Sequence, residues 1–192
     1  MQISESETFY PKSSNAWRNW LEKNHDKAQS VWLLFYRKGA GVPTISWSDA
    51  VDEALCFGWV DSKVKPLDTE KFIQFFSRRK PRGTWSKINK AKIEQLILQK
   101  RMTEAGFKVI EAAKQNGSWN ILDEVEELII PKDLTAAFTK HTGSEAFFLG
   151  LSKSVRKAML QWLVLAKRPE TREKRLTEIG ELAAKRLKPK QF

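Results

Sequence analysis

The residue types best suited to chemistry lie between Lys71 and Ile93, in the segment KFIQFFSRRKPRGTWSKINKAKI. This segment holds eight Lys or Arg residues and no Asp or Glu, and aromatic residues are interleaved with the charge. Guanidinium groups form bidentate hydrogen bonds with phosphate or carboxylate, and an indole stacks on a nucleobase or an arginine. The segment therefore indicates a surface that binds phosphate or another acid, through Arg78, Arg79, Lys80, Arg82, Trp85, Ser86, Lys87 and Asn89.

The second half of this basic segment is predicted to start a helix. Pro81 and Gly83 break the chain, and Ser86 is expected to cap a helix that runs to about Lys100. Backbone N–H groups and the helix dipole favour an anion at such a start. Asn89 falls on the apolar side of that helix, so it needs a hydrogen bond, either to the preceding loop or in part to a ligand. The standard fingerprints of nucleotide-binding loops are missing.

Three residues upstream are candidates for a cleft. Cys56 is expected to share a helix face with Asp49, Asp52 and Glu53, and these carboxylates should raise the thiol pKa. Cys56 is thus interpreted as a small packing residue rather than as a nucleophile. Trp59 and Asp61 fall in a predicted strand, where Asp61 is expected to form a structural ion pair with an arginine rather than to act as a base.

The two histidines indicate no metal site. His25 and His141 each follow a predicted helix, where an imidazole can interact with the last carbonyl groups. Neither has a partner at metal-ligand spacing, and no Ser-His-Asp arrangement can be argued. We expect no metal, no cofactor and no catalytic residue that the sequence alone can name.

Charge is concentrated in two parts of the chain. The 192 residues carry a formal net charge of +11, of which Lys71–Ile93 contributes +8. Nine basic residues and four Glu between Lys167 and Lys190 contribute +5, which leaves −2 elsewhere. This distribution favours an acidic partner, such as nucleic acid, a phosphorylated small molecule, an anionic lipid or an acidic protein. The alternative is a solvated basic surface, favoured for the second segment because its charges alternate in sign.

Several features predict a cytoplasmic protein. The single cysteine allows no internal disulfide, which fits a reducing compartment. The first 17 residues lack the apolar run of a signal peptide. No stretch approaches the roughly 18 consecutive apolar residues of a membrane span. Oligomeric state is not encoded in any pattern here.

Periodicity predicts an α+β fold. A helix capped by Ser14 or Asn15, strands at Val31–Tyr36, Trp59–Val64 and Phe72–Phe76, and a helix from Ser46 to about Phe57 form the first part. The second part is predicted to be helical, with an acidic loop at residues 123–127, and with Leu187 on the buried face of the last helix. We expect a small antiparallel sheet with flanking helices over residues 1–100, and a helical region over residues 101–192 packed on it.

Longer motifs resemble a known family. They are ALCFGWVD at Ala54–Asp61, FSRRKPRGTWSKIN at Phe76–Asn89 and AKRPETR at Ala166–Arg172, with matches also at Trp17–Leu21 and Val31–Tyr36. Together they resemble the YdeI/OmpD-associated family, also called bacteriocin-protection or OmdA-like, over nearly the whole chain. Ser62 stands where that pattern often has Gly, and Gly83 stands where Ser is common.

The resemblance implies a fold more than an activity. The family is grouped with the YjbR/CyaY-like superfamily, which implies a frataxin-like or double-wing-like head, and double-wing relatives suggest DNA contact by fold analogy alone. The family has no settled activity, and its names come from bacteriocin tolerance, envelope stress and a porin association.

Three functional hypotheses remain open from the sequence. The first is a non-enzymatic binding protein for phosphate-bearing or nucleic-acid ligands. The second is an enzyme for a small acidic substrate, with Asp61 as base and Cys56 nearby. The third is a protein-interaction module that uses exposed aromatic residues or the basic last helix.

Overall fold

A computed structural model describes residues 8–192, so the first seven residues of the expected 1–100 head, and of the segment analysed for a signal peptide, lie outside it. The chain divides into two compact units. Among the described residues, the sheet unit comprises residues 8–83 and Ile88–Trp119, and the helical unit comprises Thr84–Lys87 and Asn120–Phe192. The expected division at residue 100 stays a prediction.

The sheet unit is a mixed α+β arrangement, as the sequence predicts, but its sheet has four strands rather than the expected three. The strands are β1 (Thr8–Phe9), β2 (Ser30–Tyr36), β3 (Trp59–Pro66) and β4 (Lys71–Arg78), in the order β1-β2-β4-β3. The β2–β4 and β3–β4 pairs are antiparallel, whereas the two residues of β1 pair with β2 in parallel. A register shift between Asp61 and Val64 bends β3 at the sheet edge.

Four helices accompany the sheet in this unit. They are α1 (Ser14–Asn24), α2 (Trp47–Cys56), α3 (Lys87–Leu98, whose first residue belongs to the helical unit) and α4 (Glu104–Gln115). Trp17 of α1 is fully buried, and its ring lies 5.6 Å from that of Phe76 and 6.4 Å from that of Trp59. These aromatic contacts fix α1 on the sheet and so fix the strand ends beside it.

Side-chain caps set the helix starts. Ser13, rather than the expected Ser14 or Asn15, caps α1 by accepting a hydrogen bond from the Ala16 N–H. Ser46 accepts from the Asp49 N–H, as expected, and Thr103 caps α4 in the same way. Gly58, with φ of +73°, follows the end of α2 as predicted, since this left-handed conformation favours glycine.

The helical unit has its own apolar core. Its helices are α5 (Asp123–Glu126), α6 (Lys132–Thr139), α7 (Ser144–Gly150), α8 (Lys153–Val164) and α9 (Pro169–Ala184). The residues of this core include Leu134, Phe138, Phe148, Leu163 and Ile179. Pro169 is the first residue of α9, as its position in the sequence predicts.

Two local expectations for this region were wrong. Residues 123–126 form a helical turn rather than an acidic loop, because Val125 is buried and acidic side chains are favourable at a helix start. Leu187 is 55% exposed rather than buried, since α9 ends at Ala184 and the chain turns at Arg186, whose φ is +56°.

Candidate functional site

Arg78, at the end of β4, is held by the backbone around it. It pairs with Trp59 across the β3–β4 ladder, and its N–H donates to the Gln29 carbonyl at 3.1 Å. Its Nε donates to the Ala28 carbonyl at 2.9 Å. Because Nε is used in this way, the orientation of the guanidinium group is fixed before any ligand arrives.

Arg79 is the most buried cation of the basic segment. Only 8% of the residue is exposed, and its backbone N–H donates to the Gly58 carbonyl at 3.0 Å. Burial lowers the pKa of Arg79 to about 10, and the nearby carboxylate of Asp61 opposes this shift. A positive charge with so little exposure is weakly screened by solvent.

Both arginines line a cleft of about 550 Å³ within the sheet unit. The end of α1 contributes His25 and Asp26 to its wall, the α2–β3 turn contributes Phe57, Gly58 and Trp59, and α4 contributes Thr103, Glu104 and Lys108. The cleft thus brings together three residues that the sequence singled out: Arg78, Arg79 and Trp59. Asp61 and Cys56 do not line it.

Two glycines let the walls of this cleft approach one another. A Cβ built on Gly58 would lie 2.6 Å from Val109 Cγ2, and one built on Gly106 would lie 2.3 Å from the Cys56 carbonyl oxygen. That carbonyl accepts hydrogen bonds from Thr103, at 2.6 Å from Oγ1 and 3.1 Å from the backbone N–H. The start of α4 is therefore tied directly to the end of α2.

The sequence did not point to the other residues of the cleft. His25, Thr103 and Lys108 lie outside the basic segment, on or beside α1 and α4, and the sequence named none of them as a site residue. The only available signal was the position of His25 at a helix C-terminus, which the structure confirms, since its Nδ1 lies 2.9 Å from the Leu21 carbonyl oxygen.

Next to the cleft, a tight turn carries two more cations. The Gly83 N–H donates to the Lys80 carbonyl at 2.8 Å, and the side chains of Lys80 and Arg82 are exposed. The Pro81 carbonyl accepts hydrogen bonds from Asn116 Nδ2 at 2.7 Å and Ser118 Oγ at 3.3 Å. Hydrogen bonds thus hold this turn in place within the sheet unit, and its two cationic side chains are open to solvent.

Lys87, at the start of α3, belongs to the predicted anion site but already contacts acidic side chains of the protein. The backbone N–H of Lys87, at the start of α3, donates to the Glu126 carboxylate at 3.2 Å, and Lys87 Nζ lies 2.7 Å from Glu127 Oε1. Both contacts lie inside the helical unit. The start of α3 therefore already holds an anion supplied by the protein itself.

Ser86, Trp85 and Asn89 flank that helix start. Ser86 directly precedes α3, and Asn89 lies in its first turn, half-buried in the sheet unit. Trp85 is only 1% exposed, so its ring is not open to a nucleobase in this structure. Among the predicted site residues, then, the cleft gathers Arg78 and Arg79 while the exposed Lys80 and Arg82 follow in the turn.

Asp61 is held by neutral donors. Its Oδ2 accepts a hydrogen bond from Trp47 Nε1 and another from Gln74 Nε2, each at 3.0 Å. Gln74 is 2% exposed, and it also donates to the Ser62 carbonyl at 3.4 Å. Through these hydrogen bonds, Asp61 anchors the part of β3 where the register shifts.

Cys56 is fully buried at the end of α2. Burial raises the pKa of its thiol to about 11, with a further contribution from the Glu53 carboxylate, while the cations of Arg101 and Arg18 act in the opposite direction. Glu53 accepts hydrogen bonds from Arg18 Nη1 at 2.9 Å and Arg101 Nη2 at 2.7 Å. Of the three carboxylates expected to act on the thiol, Glu53 is the one that does.

Two further properties hold for residues 8–192. No group of three or more His, Cys, Asp or Glu side chains there could hold a metal ion. None of the helices described combines the length and the apolar character needed to cross a lipid bilayer.

Comparison with known proteins identifies two family matches. Residues 9–109 match the family described as "Domain of unknown function (DUF8412)", and this range contains β2, β3, β4 and every residue that lines the cleft. Residues 127–186 match the family described as "Bacteriocin-protection, YdeI or OmpD-Associated". No curated protein and no solved structure matches the chain.

The second match is narrower than the sequence motifs suggested. It includes AKRPETR at Ala166–Arg172, whereas Ala54–Asp61 and Phe76–Asn89 fall in the first match. The chain belongs to the DUF8412 family through residues 9–109, and residues 127–186 of its helical unit are similar to the YdeI/OmpD-associated (OmdA) family.

Proposed function

We propose that this protein is a non-enzymatic, cytoplasmic binding protein, and that the cleft of the sheet unit takes a phosphate group of its ligand. The observation that carries the proposal is that Arg78 and Arg79 lie side by side on the wall of one cleft, with Arg79 almost fully buried. Guanidinium groups bind phosphate through paired, charged hydrogen bonds, so two of them on one wall favour a phosphate there.

The size and composition of the cleft support a small ligand. Its volume of about 550 Å³ is within the usual range of roughly 300–1,000 Å³ for small-molecule sites. Phe57 and Trp59 supply an apolar wall beside the two arginines. A phosphorylated small molecule would place its phosphate against Arg78 and Arg79 and its organic part against this wall.

The anchored turn extends the positive surface beyond the cleft. Lys80 and Arg82 are exposed there, so they would reach further phosphates of a longer ligand such as single-stranded DNA. The start of α3 supports the proposal less, because Glu126 and Glu127 already satisfy Lys87. The cleft and the turn, rather than the helix start, are therefore the proposed centre of binding.

The family matches add a biological setting to this proposal. The words "bacteriocin-protection" in the description of one family lead us to propose a role in stress or bacteriocin tolerance. We also propose that the chain belongs to the YjbR/CyaY-like superfamily and that its head has a frataxin-like or double-wing-like topology. We further propose that the α+β head ends and the helical region begins near residue 100.

Two alternatives draw on other observations. An enzyme that uses Asp61 as base is less favoured because Asp61 accepts two hydrogen bonds from Trp47 and Gln74 and does not line the cleft. A protein-interaction module would use exposed apolar residues of the helical unit, such as Ile129, Leu149 and Leu187, each about half exposed. Binding to an acidic protein rather than to phosphate would favour it.

The proposal is tested by salt-titrated binding, followed by tryptophan fluorescence. The ligands are single-stranded DNA, double-stranded DNA and a panel of phosphorylated metabolites. We expect saturable binding that falls at least tenfold in the variant Arg78→Gln/Arg79→Gln, since charged hydrogen bonds contribute about 1.5–3 kcal/mol each. Lys108→Gln, which alters a largely exposed residue of the cleft, keeps the test informative if the double variant does not fold.

A matched control changes charge elsewhere on the sheet unit. Lys38 and Lys63 are exposed and do not line the cleft, so Lys38→Ala/Lys63→Ala removes the same formal charge. We expect this control to bind like the parent protein at moderate salt. Equal losses in the control and the cleft variants would show a nonspecific basic surface instead, and unchanged affinity in the cleft variants would refute the proposal.

A further inference from the structure

His25 lies on the wall of the cleft, and one of its two ring nitrogens already forms a hydrogen bond within the protein. As the residue that follows α1, it donates from its backbone N–H to the Leu21 carbonyl at 2.8 Å. Its Nδ1 lies 2.9 Å from the same oxygen, and because a carbonyl only accepts, Nδ1 must carry the proton. The neutral ring therefore has its lone pair on Nε2.

Further contacts keep the His25 ring in place. Trp59 Nε1 donates to the His25 carbonyl at 3.3 Å, and the imidazole centroid lies 5.3 Å from that of Phe57. Trp59 and Phe57 are themselves buried and line the same cleft. No hydrogen bond to His25 Nε2 is formed within residues 8–192, so that atom remains available to a ligand.

Charged groups from three elements share the cleft wall with His25. The charged residues that share the cleft wall with it come from the end of α1, the end of β4 and α4, and they are Asp26, Arg78, Arg79, Glu104 and Lys108. Glu104 and Lys108 pair with each other at 2.6 Å. Carboxylates, guanidinium groups and amines ordinarily keep their charge between about pH 5.5 and 8, so histidine is the residue type whose charge changes there.

We propose that His25 is a binding residue of the cleft for dianionic oxyanions, and that its protonation strengthens their binding as the pH falls. The proposal rests on the proposed function and deepens it. Neutral His25 presents a lone pair at Nε2, which repels an anionic oxygen. Protonated His25 presents an N–H donor and a positive charge, which adds to those of Arg78 and Arg79 and is favourable at the C-terminus of α1.

Inorganic sulfate is a suitable probe, because it keeps its double negative charge across this pH range whereas phosphate does not. Isothermal titration calorimetry at constant ionic strength measures its affinity at about pH 5.5 and pH 8. We expect about tenfold tighter binding at the lower pH, the lower end of what a charged hydrogen bond contributes.

The variant His25→Asn isolates the role of Nε2. The asparagine amide can still donate to the Leu21 carbonyl, as Nδ1 does, but it offers nothing in place of Nε2. We expect the pH dependence to disappear while the affinity at pH 8 stays within about twofold. The control His141→Asn changes the other histidine, which lies in the helical unit, and should keep the tenfold effect.

Each outcome bears on a different claim. A pH dependence that survives in His25→Asn overturns the role of His25 but leaves anion binding intact, whereas no sulfate binding at either pH refutes the proposed function itself. If His25→Asn does not fold, the parent protein is modified with diethyl pyrocarbonate and mapped by mass spectrometry. Sulfate should then protect His25 and not His141, and equal modification of His25 with and without sulfate would overturn the inference.

Discussion

Replacing Gly106 by alanine should destabilise the sheet unit by separating α4 from α2. The added Cβ would lie 2.3 Å from the Cys56 carbonyl oxygen and 2.9 Å from its carbon, both backbone atoms. Contacts under 3.0 Å are essentially never seen for a real Cβ, so one helix must move away. That movement breaks both hydrogen bonds from Thr103 to the same carbonyl.

The magnitude follows from these contacts. Two hydrogen bonds contribute about 1 kcal/mol each, and overpacking a tight contact costs about 1–3 kcal/mol. The higher helix propensity of alanine returns about 1 kcal/mol. We therefore expect Gly106→Ala to lower the free energy of unfolding by about 3 kcal/mol, well above the change typical of a surface substitution.

Urea unfolding followed by tryptophan fluorescence measures this change, because six of the eight tryptophans lie in the sheet unit. Two other helical glycines provide graded controls. A Cβ on Gly180 would lie 3.1 Å from the His141 side chain, and one on Gly150 would contact nothing within 4 Å. Gly180→Ala should cost less than Gly106→Ala, and Gly150→Ala should be neutral or slightly stabilising. A loss below about 0.5 kcal/mol at Gly106 would refute this account of how α2 and α4 meet.

Two more predictions use the shifted pKa values. With the pKa of Cys56 near 11 rather than the ordinary 9.0, iodoacetamide should alkylate the native protein at pH 8 at least about a hundredfold more slowly than the urea-unfolded chain; rapid native labelling would contradict its burial. In the helical unit, hydrogen bonds from Arg172 lower the pKa of Asp133 below its ordinary value of 3.8. Such a group stabilises the fold above that value and loses its effect as the pH falls through the lowered pKa. Asp133→Asn should thus lower the free energy of unfolding by about 1 kcal/mol at pH 7, a modest loss because the side chains of Asp133 and Arg172 are both partly exposed. At strongly acid pH the substitution should leave the free energy of unfolding unchanged. A loss that does not depend on pH would show that charge is not the cause.

Sequence patterns sufficed for the elements with strong local signals. The capped helix after Ser46, the aromatic strand β2 and the helix beginning at Pro169 each carry their own start, stop or periodicity. The helix α7 was not predicted because it has only seven residues. Its placement depends on a tertiary feature, the fully buried Ser144, whose Oγ donates to the Phe138 and His141 carbonyls.

The site was harder to predict than the fold. A cluster of basic residues is visible in sequence, but whether each side chain faces a ligand depends on what the rest of the chain supplies. The acids that satisfy Lys87 come from about 40 residues downstream, and Thr103 and His25 reach the cleft through the packing of α4 and α1. The residues from Arg78 to Arg82 could be placed from sequence, because a strand pattern and the breaks at Pro81 and Gly83 are local signals.

The central claim is that a phosphate group binds between the end of β4, the α2–β3 turn and the start of α4. Backbone amide NMR shifts, followed while pyrophosphate is added to the full chain, test it most directly. The account predicts that the largest changes fall on residues 57–59, 78–79 and 103–108, and that they are lost in Arg78→Gln/Arg79→Gln but kept in Lys38→Ala/Lys63→Ala. Changes that centre on α9, or that spread evenly over all basic surfaces, would contradict it.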